Sequence, residues 1–172
     1  MSVHREIERK FLIRYPDTAL LEAQPGREIW EIVQTYLTDG EDGCTRRVRQ
    51  VICEGQTTWF RAFKHRLSSL STMEDECEIS AEAYKALFAQ RDPWRESILK
   101  TRYRIPYRGH VVEIDLYPFW RDRAIMEIEL EDEAEQADIP DYIDIVWDVT
   151  GDGAYKNSQL ARHIPMEDLP TP

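Results

Sequence analysis

The chain has 172 residues, enough for one well-filled core, and nothing in its sequence demands a second domain beside 1–172. Charged residues make up 32% and the formal net charge is −11, yet hydrophobic residues reach 42%, so the chain is not a disordered acidic polymer. This acidity argues against nucleic acid and anionic membranes as partners, because both require a basic surface.

The cellular compartment follows from two negative features. No apolar run has the length of a transmembrane helix, and no apolar signal segment precedes the first charged strand. The three cysteines fit no zinc or redox spacing, and scattered cysteines of odd number suggest a reducing compartment. We therefore expect a cytoplasmic protein.

The first predicted strand covers residues 3–13 and alternates charged and apolar side chains. Successive side chains of a strand point to opposite faces, so one face carries Glu6, Glu8 and Lys10 while the other carries Ile7 and Phe11. A single row of this kind is more often a solvated sheet face than a site. Its interest is that later strands repeat the arrangement.

The remaining segments predict further strands joined by short turns. The further predicted strands cover residues 28–38, 44–52, 57–66, 73–80, 97–107, 110–117 and 123–132, with turns over 41–43 and at Glu54-Gly55. The predicted helical segments are a short helix or turn over 16–26, a helix over 81–91 capped by Ser80, and a helical piece over 158–164 capped by Asn157. Eight strands and few helices predict a mainly β (α+β) fold, an eight-stranded antiparallel barrel with a few outer helices.

Seven of these strands carry ionic side chains at every second position, or a single lysine among apolar residues. The acidic set is Glu6, Glu8, Glu76, Glu78, Glu113, Asp115, Glu127 and Glu129, and the basic set is Lys10, Arg47, Arg49, Lys64, Lys100, Arg102 and Arg104. On several strands the opposite face is apolar and must pack against something. If helices and loops cover the outside, the ionic faces are forced inward and line a tunnel with apolar outer walls.

Buried charges are costly unless they are paired or matched by a ligand, so function is the better reason for so many of them. An excess of hard oxygen ligands suits Mg²⁺ or Mn²⁺. Rows of arginine and lysine suit a chain of phosphates, which arginine can bind through two hydrogen bonds. Together they predict a small-molecule polyanion with several phosphates, and phosphoryl transfer needs little beyond positioning and charge neutralisation.

The motifs resemble those of the CYTH superfamily, the triphosphate tunnel metalloenzymes, over nearly the whole chain. They are the ExExK of residues 6–10, QTYL (34–37), RxR (47–49), Lys64, ExE (76–78), KTRY (100–103), EID (113–115), EIE (127–129) and YKN (155–157). The resemblance implies an eight-stranded tunnel that binds a triphosphate with divalent metal. It is greatest for the compact bacterial members that hydrolyse inorganic tripolyphosphate, and it leaves open a monomer or a homodimer.

The resemblance also assigns roles by position. The residues implied to bind phosphates are Lys10, Arg47, Arg49, Lys64, Lys100 and Arg102. Arg104 is added to them because it lies on the same face of its strand. The residues implied to bind two Mg²⁺ or Mn²⁺ ions are Glu6, Glu8, Glu127 and Glu129, with Glu76, Glu78, Glu113 and Asp115 completing the acidic shell. The catalytic set within them is Glu6, Glu8, Lys10, Arg47, Arg49, Glu127 and Glu129. Tyr36 and Lys156 are placed near the tunnel mouth, Lys156 on a C-terminal segment that can cover it.

Three other functions remain open on the sequence. A class IV adenylyl cyclase would use the same tunnel with an internal hydroxyl as nucleophile, and a thiamine triphosphatase would hydrolyse a different triphosphate. A non-catalytic module that senses or stores polyphosphate is the third. An anion binder gains nothing from eight inward carboxylates, which favours the enzymes.

Overall fold

A computed structural model describes residues 2–40 and 43–171, so Glu41 and Asp42 of the predicted turn over 41–43 lie outside the described residues. The strands are β1 Ser2–Arg14, β2 Glu28–Tyr36, β3 Thr45–Cys53, β4 Gln56–Arg66, β5 Ser71–Ile79, β6 Ile98–Tyr107, β7 His110–Leu116, β8 Arg123–Leu130 and β9 Ile145–Asp148. The helices are α1 Thr18–Glu22, α2 Ala81–Phe88 and α3 Asn157–Leu160, with a 3₁₀ turn at Gly153–Tyr155. No helix in this part of the chain is long and apolar enough to cross a membrane.

Eight of the strands close into an antiparallel barrel, which confirms the predicted fold. Around the barrel the order is β1, β5, β4, β3, β2, β6, β7, β8, and β8 returns to β1. The hairpin of β3 and β4 turns through Glu54 and Gly55, which have φ values of 50° and 76°, the left-handed conformation that a two-residue hairpin turn requires. The last strand, β9, was not predicted. It pairs with Phe11–Ile13 of β1, farther along the chain than the pairing of β1 with β5.

The helix boundaries confirm one predicted cap and correct another. Ser80 Oγ accepts a hydrogen bond from the Ala83 amide at 3.1 Å and caps α2, as predicted. Asn157 is not a cap: it lies inside the first turn of α3, and its Oδ1 accepts a hydrogen bond from the Tyr117 hydroxyl at 2.8 Å. The side chain expected to cap the helix therefore ties it to the end of β7.

The larger apolar cluster lies outside the barrel. It contains outward-facing residues of β1, β6, β7 and β8, among them Phe11, Ile13, Ile105, Val112, Ile114, Met126 and Ile128. Leu21 of α1 and the segment around Ile139 and Tyr142 pack against it. Burial of each such side chain contributes about 1.5–3 kcal/mol, so the wall itself supplies the hydrophobic stability that a filled interior would otherwise provide. The predicted tunnel with apolar outer walls is confirmed.

A second apolar cluster closes one end of the barrel. The last inward-facing side chains at this end are Leu12, Tyr36, Ile98 and Ile125, each at most 3% exposed. Trp120, Tyr155, Leu160 and Ala161 cover them from outside. We call this the closed end. At the opposite end, the open end, the inward-facing Glu28, Glu78 and Glu129 are exposed.

Candidate active site

The strand register places all the predicted ionic residues on the inner face. Residues directly opposite each other on neighbouring strands share a face of the sheet. A series of directly opposite residues can be followed along the same face from strand to strand around the barrel: Lys10–Glu127, Glu127–Glu113, Glu113–Arg104, Arg104–Glu28, Tyr36–Arg47, Arg47–Ala62, Lys64–Glu74 and Glu74–His4. Since the series returns to β1 on the same face, the parity inferred from the alternating sequence holds for the whole ring.

The two signs of charge occupy opposite arcs of the bore. All the inward-facing acidic side chains of the described strands except Glu28 of β2, at the open end, come from the contiguous strands β7, β8, β1 and β5, which also contribute Lys10. The other cations come from β4, β3 and β6, with β2 between β3 and β6 contributing inward-facing Gln34 and Tyr36. We call these the acidic arc and the basic arc. An elongated anion on the basic arc would therefore have carboxylates along its other side.

One group of ion pairs joins β3 and β4 to β5 and β1. Arg47 contacts Glu74 at 2.9 Å, and Lys64 contacts Glu6 at 2.6 Å and Glu74 at 3.3 Å. Burial opposes the ionisation of Glu6, but the Lys64 ammonium outweighs it and lowers the pKa of that carboxyl. The Glu6 carboxylate is therefore held in its charged form.

Arg49 adds one further pair to this group, at 2.6 Å from Glu76. Burial opposes the ionisation of Glu76 as well, but Arg49 and Arg47 together lower its pKa. Burial and the neighbouring Arg47 charge lower the pKa of Arg49. Arg47, which is partly buried, also contacts Glu76 at 3.5 Å, so two adjacent guanidinium groups share one partly exposed carboxylate, and an anion that replaced it would be strongly attracted.

The second group centres on Arg102, which is 6% exposed. Its guanidinium donates two hydrogen bonds to Asp115 at 2.6 and 2.7 Å and one to Glu127 at 3.0 Å. Lys100 contacts Asp115 at 2.6 Å, and Lys10 contacts Glu127 at 2.9 Å. Burial and the Arg102 charge lower the pKa of Lys100 to about 8. Burial opposes the ionisation of Glu127, but Lys10 and Arg102 hold its pKa well below the usual range.

Toward the open end the ion pairs become more exposed. Arg104 contacts Glu113 at 2.9 Å and Glu28 at 2.8 Å, and its guanidinium lies 4.4 Å from the centre of the Trp30 ring. Glu113 also pairs with Arg102. Glu78, assigned by resemblance to the metal shell, is exposed at this end, and no salt bridge of the described residues includes it. Glu78 therefore lies at the rim of the tunnel and not at its centre.

The acidic arc contains carboxylates that face each other directly across strands. Glu8 is opposite Glu129, and Glu113 is opposite Glu127. Burial and the Glu127 carboxylate raise the pKa of Glu8 to about 7, and burial and Glu6 raise the pKa of Glu129. Like charges in these positions destabilise a sheet, and a divalent cation would relieve their repulsion. The donor chemistry thus fits Mg²⁺ or Mn²⁺, although the described residues contain no group of three or more Asp, Glu, His or Cys side chains already arranged around a metal position.

Glu74, Gln34 and Arg66 are among the inward-facing residues that received no role from the sequence. Glu74 is 4% exposed and contacts both Arg47 and Lys64. Gln34 is fully buried, its Nε2 donates to the Tyr36 hydroxyl at 2.7 Å, and its Oε1 has no hydrogen-bond partner. The sequence could have indicated both residues, since each lies on the same face of its strand as a residue that was assigned a role.

Arg66 is the third of these residues, and it lies at the closed end with two residues that were assigned. Tyr36 is 3% exposed in the apolar cluster there, and Lys156 lies on the C-terminal segment that covers it. The end next to Tyr36 is therefore closed by apolar side chains, apart from a small cleft beside Arg66 and Lys156. Burial and the positive charges of Arg66 and Lys10 lower the pKa of Lys156.

The raised pKa of Glu8 predicts an unusual pH dependence of stability in the metal-free protein. Its ordinary pKa is 4.5, so between that value and about 7 the folded state binds more protons than the unfolded chain. The free energy of unfolding should therefore fall as the pH rises through this range. Glu6 and Glu127, whose pKa values are lowered, oppose this fall near pH 4.5, where the unfolded chain still binds protons at both, and they add little slope above about pH 5.5.

Urea unfolding in EDTA at several pH values across this range measures the slope. Glu8→Gln should remove most of it, and the raised pKa of Glu129 should account for the remainder. Glu31→Gln, an exposed carboxylate outside the barrel, should keep the wild-type slope. An equal slope in wild type and Glu8→Gln would contradict the assignment.

An eight-stranded antiparallel barrel with opposed charged arcs in its bore is the architecture that the resemblance to the CYTH superfamily implies. Among solved structures, the chain is similar to one described as the inorganic triphosphatase NE1496, with 27% identity, a TM-score of 0.54, and coverage of 94% of this chain and 97% of that one. The resemblance to the triphosphate tunnel superfamily is thereby confirmed.

Two archaeal structures extend the comparison of the fold. The hypothetical protein Pfu-838710-001 from Pyrococcus furiosus is 20% identical, with a TM-score of 0.55 and coverage of 75% of this chain and 80% of that one. The PH1819 protein from Pyrococcus horikoshii OT3 is 19% identical, with a TM-score of 0.53 and the same coverage. At these identities the likeness concerns the fold alone. No family model and no curated protein matches the sequence.

Proposed function

We propose that this chain hydrolyses a triphosphate, most specifically inorganic tripolyphosphate, inside its tunnel with the help of Mg²⁺ or Mn²⁺. The observation that carries the proposal is the opposition of the two charged arcs. A bare anion site needs only the basic arc, and a bare metal site needs only the acidic one. A polyphosphate with divalent cations needs both, side by side along its length. The similarity to a structure described as an inorganic triphosphatase supports the same substrate class.

The ion pairs inside the tunnel indicate how binding would proceed. Each cation of the basic arc except Arg66 contacts a carboxylate, as Arg47 contacts Glu74 and Lys100 contacts Asp115. On binding, phosphate oxygens would replace these carboxylates on the cations, and the released carboxylates would gain the metal. Neither exchange is favourable alone, because each leaves buried charge unmatched. Metal and triphosphate should therefore bind with positive coupling.

The roles of individual residues follow from their places on the arcs. Arg47, Arg49 and Arg102 would hold phosphate oxygens through paired hydrogen bonds and keep the chain in line for displacement. Glu8 and Glu129, which face each other, would hold divalent metal together with Glu6 and Glu127. A bound divalent cation supplies charge neutralisation and a more acidic water. The apolar cluster at the closed end would limit the access of bulk water to the inner part of the tunnel.

A phosphate-release panel tests the proposal. Tripolyphosphate, pyrophosphate, ATP and thiamine triphosphate are each incubated with the purified chain in Mg²⁺, in Mn²⁺ and in EDTA. We expect orthophosphate from tripolyphosphate with metal and none in EDTA. Cyclic AMP from ATP would instead identify an adenylyl cyclase, and preferential hydrolysis of thiamine triphosphate a thiamine triphosphatase. Retention of intact tripolyphosphate with metal present would identify a binding module.

A further inference from the structure

A small cleft opens into the tunnel at the closed end, between the β4–β5 loop and the C-terminal segment. Its volume is about 30 Å³, and the side chains that matter for its chemistry are Glu8, Lys10, Arg66, Thr72 and Lys156. A single water needs roughly 10–15 Å³ on this measure, so the cleft suits a group of a few atoms and not a chain of phosphates.

The cleft exists because β1 changes partner along one edge. The pairing of β1 with β5 ends at Ile7, and its pairing with β9 begins at Phe11. Between them the Glu8 amide bonds to the Leu70 carbonyl at 3.2 Å, and the Lys10 amide bonds to Thr150 Oγ1 at 2.9 Å. The sheet is interrupted there, and the inner face of β1 is reached from the side.

Two cations at this cleft differ from those in the tunnel. Every cation assigned to the tunnel from the sequence forms at least one salt bridge. Arg66, by contrast, donates only to the carbonyls of Ser68 at 2.9 Å and Gly151 at 3.4 Å. Within residues 2–40 and 43–171, neither Arg66 nor Lys156 has a carboxylate at salt-bridge distance. The cleft also contains two carboxylates: Glu8 lies 3.8 Å from Lys10, and Asp152 accepts a hydrogen bond from the Ala154 amide at 3.0 Å.

The two segments that frame the cleft lie in close contact. Gly151 has a φ of 77°, and a Cβ at this position would lie 3.0 Å from the Ser69 side chain. The Ser68 hydroxyl accepts hydrogen bonds from the Leu70 and Ser71 amides at 3.1 and 2.9 Å, which orders the loop. Arg66 is thus held by backbone carbonyls of both segments, while Lys156 lies beside it in the lining of the cleft.

We propose that this cleft binds a single phosphate group, with Arg66 as its principal ligand and Lys156 as its second. Arg66 needs only to exchange two neutral carbonyls for a phosphate, whereas every tunnel arginine must first give up a carboxylate. The phosphate group is either the terminal group of a bound chain or free orthophosphate. This inference deepens the proposed function by adding a terminal-phosphate or product site, and its role in turnover rests on that function.

Binding is measured without turnover, on the full chain in EDTA. Potassium orthophosphate is titrated in one arm and tripolyphosphate in the other, and affinity is followed by calorimetry and by amide chemical shifts. We expect the Ser69 and Gly151 amides to shift on titration. Arg66→Gln should weaken the affinity for whichever ligand causes these shifts at least about tenfold, since a hydrogen-bonded charge is lost.

Matched variants keep the test falsifiable. Arg61→Gln is the control, because Arg61 lies on the outer face of the same strand and contacts Asp75 at 3.1 Å. It should bind as wild type does, and Arg66→Lys should recover part of the lost affinity. Comparable unfolding midpoints for the variants establish that each is folded. Equal affinity of Arg66→Gln and wild type, or equal weakening by Arg61→Gln, would overturn the site.

The two arms also distinguish the sources of the phosphate. Shifts at Ser69 and Gly151 with both ligands support a site for free orthophosphate. Shifts with tripolyphosphate alone support a site for the terminal group of a chain. Shifts with neither ligand overturn the proposal. Because no hydrolysis is involved, phosphate binding at the cleft can succeed or fail independently of the phosphate-release panel.

Discussion

Replacing Glu127 with glutamine should lower the rate of tripolyphosphate hydrolysis at saturating substrate by about 10³-fold, which corresponds to roughly 4 kcal/mol in the activation free energy. Glu127 is opposite Glu113 on the acidic arc and contacts Lys10 at 2.9 Å and Arg102 at 3.0 Å. Glutamine keeps the shape of the side chain and removes the charge that a divalent cation requires. Initial rates with Mg²⁺ at a fixed pH measure the effect.

Glu31→Gln is the matched control for this loss. Glu31 lies on the outer face of β2, is exposed, and accepts a hydrogen bond from Thr101 at 3.0 Å. The rate of tripolyphosphate hydrolysis by Glu31→Gln should stay within about twofold of wild type, as expected of a surface substitution. Glu6→Gln, like Glu127→Gln, should lower the rate of tripolyphosphate hydrolysis. Normal turnover by both folded acidic-arc variants would remove the metal assignment.

Replacing Arg102 with methionine should lower the free energy of unfolding by about 3–5 kcal/mol, the usual cost of breaking a buried charge pair. Arg102 now neutralises Asp115, Glu113 and Glu127 together. Without it Asp115, which is 1% exposed, keeps only Lys100 as a charged partner. Denaturant unfolding near neutral pH measures the change, with an unaltered m-value as the sign that the native state stays compact.

Arg104→Met on the same strand is the comparison for this prediction. The Arg104 side chain is 28% exposed and also pairs with two carboxylates. Because solvent screens such pairs, its loss should cost about 1 kcal/mol or less. Equal losses for the two variants would show that burial of the Arg102 network contributes nothing to stability.

The strands and their faces were predictable because side-chain alternation is a local property. The even-numbered acids of β1 and the arginines of β3 share a face of their own strands whatever the rest of the chain does. The hairpin through Glu54 and Gly55 was equally local. By contrast, β9 follows no strong alternation over its four residues, and it becomes a strand through its pairing with the edge of β1.

The positions of individual site residues were less predictable. Arg66 and Glu74 have the same parity as assigned neighbours, but only their surroundings separate a buried partner from a rim residue such as Glu78. The assignment of metal ligands and the choice of Mg²⁺ or Mn²⁺ stay predictions, as do the cytoplasmic location and the absence of nucleic-acid and membrane partners. They depend on molecules beyond this chain.

By itself the sequence determined that charged rows face one way and apolar rows the other, since both follow from the two-residue period of each strand. Only the tertiary structure decided that acids and bases occupy opposite arcs of the bore, that one end is closed, and that a cleft opens beside Arg66. The physical reason is that these features depend on which strands become neighbours. That choice is made by long-range pairing, such as β1 with β5 and β2 with β6, which no local pattern encodes.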